Sequence, residues 1–331
     1  MPRPRSARVV ELKAKLIAHI RDGFHRPGDP FLSNRALARR HGVSYQTAHR
    51  LLGELHREGW LARRESSGTA IAGRTEPPVA VQLIFDPRAR RPGSFGASMS
   101  QRLKRALTEG GIRFTQSWAE GDVRFKPRHL PVLWEAPNHL NAVAAEHRFA
   151  LLLQDRPPPG LGASYIDSVR ADDFSGGLCA AQVLLERLGP KARLAILAGP
   201  KDDGRSQQRV EGFLSLASHA PVCSAGGWYS EDGENAAPRL LAEKPEGVFC
   251  CNDRLAEGLL AECSRRGGPA PAIIGFDNAP ISEALHLTTI SISWAQFVSE
   301  VMTLIRQRLK GDPSPARQII LSLRPHIRLT A

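Results

Sequence analysis

From Val79 onward the chain repeats one local pattern: a short apolar run, then a longer stretch whose apolar residues return every three or four positions. VAVQLIF (79–85), FALLLQ (149–154), RLAILAG (193–199), GVFCCN (247–252) and AIIGFD (272–277) are short and mostly apolar. Such runs read as strands covered on both faces. MSQRLKRALTEGG (99–111), GGLCAAQVLLERLG (176–189) and RLAEGLLAECSRRGG (254–268) read as amphipathic helices ending on glycine. Short buried strands alternating with helices specify β-α-β units around a parallel sheet. SWAEGDVRFKPRHLP (117–131) is too short and irregular for an ordinary crossover helix, and DRPPPGLG (155–162) reads as a loop. No repeat of fixed period and no low-complexity tract is present.

The remainder of the 331 residues differs in charge. Residues 1–75 hold 15 Lys/Arg against 6 Asp/Glu, a net +9, and the other 256 residues hold 30 against 27, a net +3. GRTEPPV (73–79) separates the two with a pair of prolines, which continue neither a helix nor a central strand. The expected division is a domain over 1–73, a linker over 74–78 and a larger domain over 79–331. No apolar run is long enough to span a bilayer, and MPRPRSARVV has no apolar core behind its charges, so a cytoplasmic location is expected. Cys179, Cys223, Cys250, Cys251 and Cys263 show no C-x-x-C spacing and read as reduced thiols. The eleven histidines are scattered. GPKDDGRS (199–206) lacks the glycine and Lys-Ser/Thr of a phosphate loop, and neither G-x-S-x-G nor H-E-x-x-H occurs. No metal, cofactor or catalytic residue is expected.

The basic segment reads as helix, helix, turn, helix, hairpin. A first helix over Ala7–Asp22 carries Val10, Leu12, Leu16, Ile17 and Ile20 as its apolar stripe. Ser33 can cap a second helix, although Ala36 stands where a glutamate would complete a capping box. Gly42 allows a sharp turn, and Ser44 caps again. Ala48, Leu51, Leu52 and Leu55 then form one buried stripe, which leaves Tyr45, Gln46, His49, Arg50 and Gly53 on the opposite face. GWLARRESSGTAIAG (59–73) reads as two short strands around a Ser-Ser-Gly turn. A helix pair of this kind can be a structural hairpin only. The local charge and the basic hairpin favour nucleic acid as its partner.

FLSNRALARRHGVSYQTAHRLLGELHREGWLARRESSGTAIAG (31–73) resembles the DNA-binding domain of the GntR family of bacterial repressors. The resemblance rests on Leu32 to Ala38, Gly42-Val43-Ser44, the leucines of 51–55, Glu58-Gly59-Trp60-Leu61 and Gly68-Thr69. It implies a winged helix in which Arg35 contacts phosphate and Ser44, Tyr45, Gln46, Thr47, His49 and Arg50 enter the major groove. Gly68 would then lie near a wing tip in the adjacent minor groove. The family commonly has arginines where Tyr45 and His49 stand here. Arginine is the usual bidentate reader of guanine, so their loss makes Gln46, an amide suited to adenine, the candidate reader.

In the larger domain, GVFCCNDRLAEGLL (247–260) and IIGFDNAPISEALHLTTISIS (273–293) resemble the effector domain of LacI/GalR-type regulators. SVRADDFSGGLCAAQVLLERLG (168–189) and LAILAGPKDDGRSQQRVEGFLS (194–215) add to that likeness, which is closest over 165–331. The implied fold is a two-lobed α/β, type-1 periplasmic-binding-protein-like domain beside a small α+β winged helix. The implied ligand, bound between lobes, is sugar-like. Arg209, Asn252, Asp253 and Asp277 carry over as polar contacts, and Trp228 as a stacking surface. Asp86 follows the first strand, at the carboxyl end where ligands of parallel sheets collect. Bland roles compete: Asp172 and Asp253 as helix caps, Asp277 as a turn residue, and Trp228 as packing, with Trp134 and Trp294 weaker still.

The combined expectation is a homodimeric, ligand-controlled transcription regulator, with repression the expected sign, acting on double-stranded operator DNA. The rival expectations are a regulator with a decayed pocket, a small-molecule binding protein with no DNA role, and an enzyme on the α/β domain.

Overall fold

The computed structural model describes residues 7–22, 29–57, 60–64, 68–71, 77–121, 123–136, 139–140, 149–157, 166–312 and 314–331. The Glu58-Gly59 step, the Ser66-Ser67 turn, linker residues 74–76 and residues 158–162 of the Pro-rich loop lie outside them.

The head is built from α1 (Ala7–Asp22), α2 (Asn34–His41), α3 (Tyr45–Arg57), β1 (Leu61–Arg64) and β2 (Gly68–Ile71). Ser33 accepts the backbone N–H of Ala36 at 3.2 Å and starts α2, and Gly42, at φ 61°, ends it. Ser44 accepts the N–H of Thr47 at 3.1 Å and starts α3. Each cap satisfies a donor that the helix itself cannot. Ala48, Leu51, Leu52 and Leu55 close a core with Leu12, Leu16, Ile20, Leu37, Trp60, Leu61 and Ile71. Glu54 lies on the same buried side and is neutralised by Lys13 at 3.1 Å. β1 and β2 pair antiparallel, from Leu61↔Ile71 to Arg64↔Gly68, and Pro30 bridges Ala70 on the other edge.

The chain then forms two compact units, each around a six-stranded sheet. The first sheet has the order β13-β7-β6-β5-β3-β4, with β3 (Ala80–Phe85), β4 (Phe114–Trp118), β5 (His129–Trp134), β6 (Ala150–Leu153), β7 (Ile166–Ala171) and β13 (Gln318–Leu321). α4 (Phe95–Glu109) contributes the fully buried Met99, Leu103 and Leu107.

β4 and β5 flank β3 in parallel, yet the described residues between them contain no helix. The crossover is a loop that packs Ala119, Val123 and Phe125 against Ile84, Leu133 and Leu152. A helix would satisfy its own backbone, whereas this loop leans on Gln82, which is wholly buried in the middle of β3. Gln82 Nε2 donates to Ser117 Oγ at 2.9 Å and to the Arg124 carbonyl at 3.0 Å, and its Oε1 accepts the Lys126 N–H at 2.8 Å.

A second buried polar knot ends α10 (Trp294–Leu309). Arg308 grips Asp167 bidentately at 2.7 and 2.8 Å and donates to the carbonyls of Asp312 and Ser314. The same carboxylate accepts the Arg317 N–H at 2.8 Å, so the segment after α10 is fixed beside β7.

The second sheet has the order β14-β12-β11-β10-β8-β9, with β8 (Leu194–Ala198), β9 (Val222–Ser224), β10 (Gly247–Cys250), β11 (Ala272–Phe276), β12 (Thr288–Ile292) and β14 (Leu323–His326). Its helices are α5 (Asp173–Leu188), α6 (Gly204–Leu214), α7 (Ser230–Leu241), α8 (Asp253–Arg266) and α9 (Pro280–Ala284). Successive strand residues go to opposite cores. Leu197, Val248 and Cys250 join Leu240, Leu255 and Leu259 on one side. Ile196, Phe249 and Ile290 join Leu184 and Phe213 on the other. That is why β8 and β10 are apolar at every position. β14, antiparallel at the edge, carries Pro325 and has no apolar run, and β9 is three residues long. Neither has the signal of a buried strand. The five cysteines are free thiols, four of them buried and Cys179 half-buried.

Gln82→Leu keeps the side chain's bulk and strands the Arg124 carbonyl and Lys126 N–H. Each orphaned buried group costs about 1–3 kcal/mol, so a loss of about 2–4 kcal/mol is expected in urea unfolding, with secondary structure retained.

Candidate functional site

Two surfaces gather the candidate residues. On the head, the start of α3 presents Tyr45, Gln46, His49 and Arg50 to solvent, with Arg35 exposed on α2. Tyr45 and His49 stand one turn apart and stack, ring centres 6.4 Å apart and planes 9° from parallel. Asn34 Nδ2 lies 3.4 Å from His49 Nδ1, so the ring is held from behind by α2. Where the resembling family offers two arginines, this face offers two flat rings and the amide of Gln46. Ser44 and Thr47 bond each other at 2.9 Å, so both hydroxyls help hold the first turn together. Gly68 is exposed at φ 94°, a conformation that suits glycine, and a Cβ there would meet nothing.

The second surface lies at the carboxyl ends of β8, β10 and β11, within the second unit. Its centre is Arg209 of α6, which is buried. Arg209 Nε donates to Asp173 at 2.7 Å, and Nη1 donates to the Cys251 carbonyl at 2.6 Å and faces Asp277 at 3.5 Å. Its guanidinium lies 3.6 Å over the Phe276 ring and 5.9 Å from the ring of Trp228. Burial opposes the charge, but the two carboxylates outweigh it and raise the pKa above that of an ordinary arginine. Two helices enforce this geometry. A Cβ on Gly177 would run into the Arg209 carbonyl, and one on Gly212 into that of Phe174, so α5 and α6 cross at glycine contact. That approach brings Arg209 to Asp173, one turn before Gly177.

Trp228 is half-buried, and its ring fills the space that a side chain on Gly199 would need. Asn252 caps α8: its Oδ1 accepts the Leu255 N–H at 2.8 Å, and its Nδ2 donates to the Trp228 carbonyl at 2.9 Å. The cap is therefore Asn252, not Asp253 as the bland expectation had it. Both amide atoms of Asn252 are engaged within the fold, which makes it a support for Trp228. Asp253 is buried too. Its oxygens accept Thr289 Oγ1 at 2.6 Å and the Ala279 N–H at 2.7 Å. Burial first, then the neighbouring Asp277 charge, push its carboxyl well above the ordinary range. Asp277 sits at φ 100°, outside the usual region for a side-chain-bearing residue, and its N–H donates to Ile290 O at 2.8 Å. Such strain persists only where surrounding contacts hold it. Asp172 caps α5 through Ser175, as its position suggested. Trp294 packs against Phe95 and Phe297.

Asp86 belongs to the first unit, at the end of β3, where its N–H donates to the Trp134 carbonyl at 3.1 Å. Trp134 packs against Phe85, and its buried indole Nε1 has no partner. Sequence reasoning passed over Asp173, whose only signal is an acidic pair before a double glycine, and the Asp203–Arg205 pair at the start of α6. Burial raises Asp203, but Arg205 and the helix N–H groups overcome it and leave the carboxyl at about 2. Among the described residues, no cluster of His, Cys, Asp and Glu could hold a metal ion.

Gly177→Ala forces α6 away from α5 and lengthens the Arg209–Asp173 contact. The expected outcome is loss of any ligand-induced thermal shift together with a stability loss of about 1–3 kcal/mol from overpacking, while DNA binding by the head persists.

Comparison with known proteins fits this division. The family described as bacterial regulatory proteins, gntR family, matches residues 8–71, and the periplasmic binding protein-like domain matches residues 185–331. The HTH-type transcriptional repressor PurR of Mannheimia succiniciproducens is 31% identical over 156 residues, 43% of this chain and 46% of that protein. Its namesake in Pasteurella multocida is 30% identical over 169 residues, 47% of this chain and 50% of that protein. The chain thus spans about half the length of the curated relatives it matches. Among solved structures, a LacI family transcriptional regulator from Enterococcus faecium with bound ribose superposes with a TM-score of 0.64 at 21% identity. A periplasmic binding protein/LacI transcriptional regulator from Alkaliphilus metalliredigens, complexed with D-xylulofuranose, gives 0.60 at 17%. Each alignment covers 76% of this chain and 98% of the other, and at such identity it shows the fold. The head therefore carries the gntR-family match and the larger domain the periplasmic binding protein-like match, on a fold shared with solved LacI-family regulators.

Proposed function

We propose that this protein is a transcription repressor whose hold on operator DNA is set by a small, neutral, polyhydroxylated effector of the sugar class. The observation that carries the effector half is the charge balance around Arg209. One guanidinium is shared between two carboxylates, and the neighbouring Arg205 is paired with Asp203 at 3.0 Å. An anionic ligand would meet the Asp277 carboxylate beside a guanidinium already shared between two carboxylates. A hydroxylated ring suits it: Asp277 accepts from hydroxyls, Arg209 donates to ring or hydroxyl oxygens, and Trp228 covers an apolar face. Asn252 and Asp253 act behind these groups as supports. Asp86, at the carboxyl end of β3, is proposed as a further polar contact for the effector. The repressor acts as a homodimer in the cytoplasm, because paired recognition helices read half-sites spaced by turns of the duplex. Regulation then follows from linkage: the effector changes operator affinity by its differential affinity for two states of the protein.

A thermal-shift panel of monosaccharides, sugar acids and purines tests the effector. A ligand at about 100 times its dissociation constant adds about 2.7 kcal/mol of native stability. Neutral sugars are expected to shift the transition and sugar acids to leave it in place. Asp277→Ala is expected to abolish the shift and leave DNA binding intact. A shift from sugar acids alone sinks the charge argument. For the head, Gln46→Ala is expected to change preference at one base pair by about 1–3 kcal/mol in a binding-site selection. Equal weakening on every sequence removes Gln46 as a base reader.

A further inference from the structure

The amino edge of the first sheet gathers positive charge. Arg113 precedes β4, and its carbonyl accepts the N–H of Val81. Lys126 and Arg128 end the loop that crosses to β5, and the Arg128 carbonyl accepts the N–H of Val79. Arg306 and Lys310 close α10, and a Cβ on Gly311, in the turn that follows, would lie 3.4 Å from Pro77. Arg113, Lys126, Arg128, Arg306 and Lys310 are all exposed. They surround Pro77 and Val79, the point where the chain arrives from the head.

Three observations separate this edge from an ordinary solvated face. The exposed arginines of the second unit are commonly paired: Arg91 with Glu231, Arg193 with Glu246, and Arg265 and Arg266 with Glu262. Among the described residues, Arg113, Lys126, Arg306 and Lys310 form no ion pair. Charge also separates along the described part of the crossover loop, with Glu120 toward the end of β4 and Arg124, Lys126 and Arg128 toward the start of β5. The basic half is held rigidly, because Gln82 fixes the backbone at residues 124 and 126. Finally, Ile71 ends the wing and Pro77 stands six residues later, so the head lies within about 22 Å of this edge even with the chain fully extended.

We infer that this edge is a second DNA-contacting surface, which takes the phosphate backbone flanking the operator. The inference rests on the reading of the head as a DNA-binding domain. Unpaired cations on a fixed backbone, tethered next to a recognition helix, suit a phosphate array because each neutralised phosphate releases condensed counterions. Such cations position the protein and carry no sequence information.

The test uses the full-length protein, a 40-base-pair duplex selected with it from a random pool, and a 20-base-pair duplex trimmed to the selected core. Affinity is measured by anisotropy against salt. The triple variant Arg113→Gln, Lys126→Gln, Lys310→Gln is expected to lower the log–log salt slope on the long duplex by about 0.9 for each phosphate it leaves unneutralised. On the short duplex it should match the wild type. Lys126→Arg should keep the wild-type slope. Equal slopes for the triple variant and the wild type on the long duplex, with an unchanged melting temperature, overturn the inference. So does an altered oligomeric state in sedimentation with no change of slope, which would make the edge a protein interface. If the triple variant is unstable, the three single variants carry the same comparison. Arg35→Ala guards the underlying reading: if it leaves both duplexes bound at full affinity, the head fails as a DNA-binding unit, which is a different failure from an unchanged slope.

Discussion

A guanidinium taken out of water must be paired, and Arg209 has two carboxylates and a carbonyl to pair with. Breaking a buried pair by removing one partner costs about 3–5 kcal/mol, so α5, α6 and the ends of β10 and β11 are committed to one arrangement. The consequences run outward. Asp277 is held in a backbone conformation it would otherwise avoid, and Phe276 lies beneath the guanidinium. Trp228 is braced by Asn252 from behind. The surface that is offered to a ligand exists because the groups below it have nowhere else to go.

Much of the architecture was legible because its signals are local. Strands buried on both faces, such as β8 and β10, are apolar at every position, and the caps at Ser33 and Ser44 sit shortly before periodic apolar residues. The less legible parts depend on residues distant in sequence. Nothing in VAVQLIF shows that Gln82 will hold a loop more than forty residues on. Asp173 acquires meaning only when Gly177 lets α6 approach. Edge strands such as β14 lack the apolar run that marks a central strand, because one side of an edge faces solvent. In the site itself, residue types alone pointed to Arg209, Asp277 and Trp228. They did not show that Asn252 and Asp253 would spend their polar atoms on bonds within the fold.

The head and the sensor also differ in how they use charge. The second unit pairs many of its arginines with carboxylates. On the head, Arg35 and Arg50 stay exposed, while the reading positions hold Tyr45, His49 and Gln46. In the proposed reading, attraction to a polyanion and recognition of sequence fall to different side chains, in line with the division between phosphate and base contacts in DNA complexes.

The loop that replaces the crossover helix has one more consequence. A helix laid over a sheet opens turn by turn, and each broken bond releases only its own residue. Here the cover between β4 and β5 is fastened to the central strand by the packing of Ala119, Val123 and Phe125 and by the amide of Gln82, which bonds the backbone of residues 124 and 126. Losing that fastening exposes Ile84 and its neighbours at once, so the cover opens as one unit. Slow amide exchange would therefore stop at the border of this loop. The loop and the strand beneath it therefore keep or lose their order together, as one cooperative patch of the first unit.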